Sequence, residues 1–171
     1  MSPPSPAVRI PEQPVVADFW YRKHMGWQTV RRTDEVRLRL GENVVGFQVP
    51  TQLGRRILGR FDRVGVVVPA VEHKPSGTVV VLADANGGWW SQADLPVGVQ
   101  FLCSPVEVPL PPSKVAGVEV SWLRPVDPRR PWLPLAESVL GQIHAIMGLD
   151  SRPDVRQGRL TSPWTSGRPR R

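Results

Sequence analysis

The side chains able to do acid–base, nucleophilic or metal chemistry are few in this sequence and far apart. The histidines are His24, His73 and His144, and none forms an HxH or HExxH pattern that would offer paired imidazoles to a zinc ion. No Ser-His-Asp arrangement can be read from the order of residues. Cys103 is the single cysteine; it has no basic neighbour to favour the thiolate, so a buried, inert thiol is expected. One cysteine also excludes an intrachain disulfide and a Cys-cluster zinc site. Asp84, Asp94, Glu107 and Glu119 fall in one stretch, but Glu107 and Glu119 occupy the polar positions of alternating runs, where solvent is the expected neighbour. No GxGxxG or Walker A sequence supplies a phosphate-cradling loop.

What remains is cationic and aromatic. Arg55, Arg56 and Arg60 share one segment. Ser113 and Lys114 follow a Pro-Pro, Trp89 and Trp90 sit in a Gly-rich loop, and Arg168, Arg170 and Arg171 close the sequence. Arginine and lysine neutralise phosphates, and indoles stack on unpaired bases. The plainer alternatives are solvated surface charge and a tryptophan pair covering a core edge.

These residues need elements to hold them. Residues 15–26 have apolar and aromatic residues at helical spacing (Val15, Val16, Phe19, Trp20), with Gly26 as a stop. WQTV and EVRLRL read as strands about a Thr33-Asp34 turn. Residues 44–49 make a largely apolar strand ended by Pro50. Residues 51–61 suit a helix with Thr51 as cap and Leu53, Ile57, Leu58 and Phe61 on its inner face; Arg55, Arg56 and Arg60 lie largely away from that face. Valine-rich runs at 64–71 and 78–84 read as buried strands joined by a hairpin-like link. Residues 98–102, 106–110 and 118–122 add three strands. Residues 131–148 give a final helix with Leu135, Val139, Leu140, Ile143 and Met147 as its stripe and Gly148 at its end. The sum is one α+β domain over residues 14–149, with a mainly antiparallel or mixed sheet of seven or eight short strands and two or three helices.

Composition sets the surroundings. Of 171 residues, 20 are proline and 15 glycine, which implies many turns and short elements. Residues 1–13 read as a disordered Pro-rich leader without the apolar core of a signal peptide. No apolar run approaches the ~20 residues of a membrane span, so a cytoplasmic protein with no membrane partner is expected. The formal charge is +7, with 19 arginines against 3 lysines. A disordered basic tail is expected from residue 150, and residues 151–171 hold six arginines and one aspartate, +5 of the total. Such a tail suits phosphate backbones or simple solubility.

The order of these pieces resembles the bifunctional primase/polymerase (prim-pol) domain of the archaeo-eukaryotic primase superfamily, in its shortened actinobacterial form. The resemblance covers roughly residues 42 to 147. It rests on Gly46-Phe47-Gln48-Val49-Pro50 as the first strand and Ser76-Gly77-Thr78-Val79-Val80 in the hairpin. It continues through Gln100-Phe101-Leu102, then Pro111-Pro112-Ser113, Gly117 and Trp122, and closes with the helix begun by PWLPLAESVL.

The resemblance implies a site of two divalent metals held by acids on adjacent strands. This chain departs at each matching position: Gln48 and Pro50 stand for the first acidic pair, Val80 stands near a phosphate-contacting histidine, and Gln100 stands for the third acid. The expectation is a catalytically inactive prim-pol-like domain with no cofactor and no catalytic or metal-binding residues. It would act as a DNA- or RNA-binding or regulatory module through the cationic and aromatic residues above. The alternative is a protein-interaction module, binding a partner or forming a homodimer, with Trp89, Trp90, Trp132 and Trp164 as candidate contacts.

Overall fold

The computed structural model describes residues 9–41, 43–86 and 95–148. Trp89, Trp90, Asp94, Trp164 and the arginines of the basic tail lie outside them.

Among the described residues three helices, α1 (Pro14–Met25), α2 (Thr51–Arg63) and α3 (Ala136–Met147), accompany ten short strands. The strands are β1 (Thr29–Arg32), β2 (Glu35–Arg39), β3 (Val44–Pro50), β4 (Ala70–His73), β5 (Thr78–Asp84), β6 (Gln100–Leu102), β7 (Glu107–Leu110), β8 (Lys114–Val115), β9 (Val118–Glu119) and β10 (Ser121–Arg124). An antiparallel sheet of five, ordered β10-β4-β5-β3-β6, forms the centre. A second antiparallel sheet is ordered β1-β2-β7, and β8 and β9 form a small hairpin.

The period-2 geometry of β5 explains the layering. Val79, Val81 and Ala83 point into one core with Ile57, Leu58 and Phe61 of α2 and Val139 and Ile143 of α3. Val80 and Leu82 point into a second core, shared with Tyr21 of α1 and with Val36, Leu38, Val108 and Leu110 of the small sheet. A strand buried on both faces reads as an unbroken apolar run, which TVVVLAD is. Gly46 of β3 lies on the second face, where a Cβ would come 2.8 Å from a methyl of Val80. The missing side chain leaves room for Val80 of the neighbouring strand β5 in that core.

The α+β class stands, as do the Thr33-Asp34 hairpin and the β4–β5 hairpin, which turns through Lys74–Ser76 and a left-handed Gly77. Several local expectations change. Pro50 rather than Thr51 occupies the cap position of α2, and the Thr51 N–H donates to the Gly77 carbonyl. Helix α2 runs on to Arg63, and the left-handed Gly65 follows it, so the strand expected from residue 64 begins only at Ala70. The last helix starts at Ala136, leaving Leu135 and Met147 of the expected stripe exposed, while Val139 and Ile143 are buried. Helix α1 is turned round: Ala17, Tyr21 and Met25 are buried, and Val15, Val16 and Phe19 face solvent.

The Pro-Pro-Ser segment does not join neighbouring strands. Strand β7 pairs with β2, and β10 pairs with β4. The segment carries the chain from the small sheet to the edge of the large one. Two prolines suit that passage, because they fix φ and bring no N–H donors to satisfy. The Pro111 carbonyl accepts from the Tyr21 hydroxyl at 2.7 Å, and that oxygen accepts from the Trp122 indole N–H at 3.2 Å.

Candidate nucleic-acid interface

The arginines of α2 follow from helix geometry. Gly54, Ile57, Leu58 and Phe61 bury one side of the helix, so the opposite side carries Arg55, Arg56, Arg60 and Arg63. Positions 56, 60 and 63 are four and three residues apart and share one arc. Arg63 lies outside the 51–61 segment read from the sequence. It is seven residues beyond Arg56, and that helical spacing would have marked it had the helix been extended past Phe61.

The partners of these arginines decide how much charge reaches solvent. Arg55 lies 3.7 Å from Glu72 of β4 and is balanced by it. Arg56 donates to the Ile146 carbonyl at 3.4 Å, near the C-terminal end of α3. Arg60 donates to the Gln142 side-chain oxygen at 3.3 Å. Both of these acceptors are neutral, and both bonds are long and exposed. Arg63 makes no ion pair among the described residues. The one acid of α2 itself, Asp62, is held by Arg124. The arc of Arg56, Arg60 and Arg63 therefore keeps its positive charge. Helix α3 ends at Met147, one residue past the carbonyl that Arg56 holds, so the sequence leading to the Arg-rich residues 151–171 begins beside this arc.

The other candidates do not gather there. Ser113 is fully buried, and its hydroxyl accepts from the Val36 N–H at 2.7 Å and donates to the Val36 carbonyl at 3.0 Å. It is a structural bridge, with no group left for a ligand. Lys114 is exposed but faces Glu119 across the β8–β9 hairpin. Its neighbour Val115 packs on the core opposite α2, so Lys114 belongs to a different layer. Trp89, Trp90, Arg168, Arg170 and Arg171 lie outside the described residues.

The register places two of the departing positions together. Gln48 of β3 is the direct partner of Gln100 of β6, and Pro50 is paired with Thr78. Directly paired residues point to the same face of a sheet, so the two amides stand side by side. Both are neutral, and neither gives a hard cation the carboxylate it favours. His73 is across from Thr78, and Ser76 Oγ lies 2.7 Å from His73 Nδ1 and 2.6 Å from Thr78 Oγ1. Spacing alone does not reveal this contact, because a three-residue turn creates it. Among the described residues no three His, Cys, Asp or Glu side chains converge.

At the other end of β3 a cleft of about 690 Å³ opens between Trp27, Arg39, Asn43, Cys103 and Glu107. Arg39 and Glu107, paired neighbours on β2 and β7, are 3.5 Å apart in its lining, and Glu107 also accepts from Arg32 at 3.1 Å. Cys103 is half-buried, with its sulfur 3.7 Å from the Ser104 carbonyl. His24 rests near the Trp20 ring at 5.1 Å.

Comparison with protein-family models, curated proteins and solved structures returns no match to this chain.

Proposed function

We propose that this chain is a non-catalytic, primase/polymerase-like module that binds nucleic acid through the exposed arc of α2. The observation that carries the proposal is the partner set of Arg56, Arg60 and Arg63: two neutral acceptors and no carboxylate. Cations left unneutralised on one rigid arc suit a phosphate backbone, and contacts of this kind are independent of sequence. The primase-like part is supported by the side-by-side placement of Gln48 and Gln100, where the resembled family carries acids. Their neutral amides favour binding over phosphoryl transfer. Residues 151–171, which follow α3 in the sequence, add six arginines against one aspartate.

Arg56 and Arg60 also tie α2 to α3, so their structural and ligand roles must be separated. Fluorescence anisotropy with labelled single- and double-stranded DNA, at several salt concentrations, does this. The full chain is compared with a chain ending at Asp150 and with Arg56→Gln/Arg60→Gln/Arg63→Gln. Binding by the shortened chain that weakens steeply with salt and is lost in the triple variant is the expected result. Absence of binding by the shortened chain at low salt would remove α2 from the proposal and leave the tail as the binding element.

A further inference from the structure

We infer that α1 is a self-association surface and that its occupant is a second copy of this chain. The first sign is a second apolar side on a helix that already has a buried one. Helix α1 turns Ala17, Tyr21 and Met25 into the core, with Trp20 packed beside them. Its other apolar residues face solvent: Val15 is 56% exposed, Val16 46% and Phe19 63%. These residues are spaced i, i+1 and i+4 and form a continuous stripe. A contiguous apolar patch of this kind marks an interaction site more often than chance exposure does.

The flanks of the stripe identify the occupant. Glu12 precedes the helix on the same side, since it borders a hollow with Val16. Lys23 follows on the same side, with its ammonium 5.8 Å from the centre of the Phe19 ring. An acid therefore stands at one end and a cation at the other. Two copies of α1 packed antiparallel about a two-fold axis midway between Val16 and Phe19 set Val16 of each against Phe19 of the other. The same register sets Glu12 against Lys23 at both ends. The surface is complementary to itself, which a two-fold interface requires. Antiparallel packing also brings each helix N-terminus near the other's basic last turn, Arg22, Lys23 and His24. Glu12 is at present paired with Arg9 at 2.8 Å, but both side chains are at least 80% exposed, and a surface pair of this kind is readily exchanged.

Sedimentation equilibrium of the full chain over a micromolar concentration series tests the inference. The mass is expected to rise from 19.0 kDa towards twice that value with concentration. Phe19→Glu should hold it at the single-chain mass, with circular dichroism showing that the fold persists. Glu12→Lys and Lys23→Glu should each weaken association by roughly five- to tenfold, because each reversal opposes like charges at both ends of the interface. Combining the two should restore it. A single-chain mass at every concentration overturns the inference, as does association indifferent to Phe19→Glu. A double reversal no better than either single one overturns the antiparallel register. Association that appears only after residues 1–8 are removed assigns the stripe to that segment instead.

Discussion

Ser113 and Val36, 77 residues apart in sequence, satisfy each other completely: one hydroxyl takes the Val36 N–H and supplies the Val36 carbonyl. All three groups are buried. Ser113→Ala leaves both backbone groups of Val36 in β2 without that partner. Each orphaned buried group costs about 1–3 kcal/mol, so a loss of at least ~2 kcal/mol is expected in urea unfolding. The DNA affinity of the folded variant should equal that of the parent, because Ser113 has no exposed surface.

Tyr21 is held in a similar way. Burial pushes its hydroxyl pKa well above the ordinary value, while the Trp122 N–H opposes that shift. The folded state therefore keeps this proton more firmly than the unfolded chain does. Its contribution to stability is constant below the ordinary tyrosine pKa of about 10 and falls as pH rises above it. Tyr21→Phe should cost about 1–3 kcal/mol at neutral pH through the unpaired Pro111 carbonyl. It should also flatten the loss of stability above pH ~10, measured by thermal unfolding across the alkaline range.

Gly46 tests the contact between β3 and β5. A methyl group there meets Val80 at 2.8 Å in a core with little slack. Gly46→Ala is expected to destabilise by about 1–3 kcal/mol through overpacking. Adding Val80→Ala should return part of that loss, and a double-mutant cycle in chemical denaturation measures the coupling.

Placing carboxylates at the paired amides tests the chemistry of that end of the sheet. The Cβ atoms of directly opposed residues lie ~5 Å apart, so Gln48→Glu with Gln100→Glu sets two carboxylates within reach of one cation. The double variant should bind Mn²⁺ more tightly than the parent in an electron paramagnetic resonance titration. Equal binding would mean that the two side chains diverge.

The α2 arginines predict a slope as well as an affinity. Replacing Arg56, Arg60 and Arg63 one at a time should each lower the dependence of log K on log salt by about 1. Substitution of Arg55, already balanced by Glu72, should change it less.

Where one period governed a segment, the sequence was enough to read it. The β5 run, the Thr33-Asp34 turn and the inner face of α2 all followed from spacing and turn chemistry. Helix α1 was misread because hydrophobic spacing finds the apolar side but not what covers it. The burial of Tyr21 was hidden for the same reason, since its partners Pro111 and Trp122 lie 90 and 101 residues away. Ser113 reads as a candidate contact after Pro-Pro, whereas its bonds reach the backbone of Val36. Of the proposed binding site, the arginines on α2 were legible. The neutrality of their partners was not, because Ile146 and Gln142 belong to a helix that the sequence alone does not place beside α2.

The path taken by Pro111-Pro112-Ser113 also bears on how the chain can be made and divided. The small sheet takes two strands from before the large sheet and its last from after β6, and the large sheet then waits for β10. During synthesis neither sheet is complete until residues past 106 have left the ribosome. Until then β2 has an open edge and α1 lacks the carbonyl that holds Tyr21. No cut between Thr29 and Arg124 yields two halves that each own a finished sheet, so splitting the protein for complementation should give fragments that fold only in each other's presence.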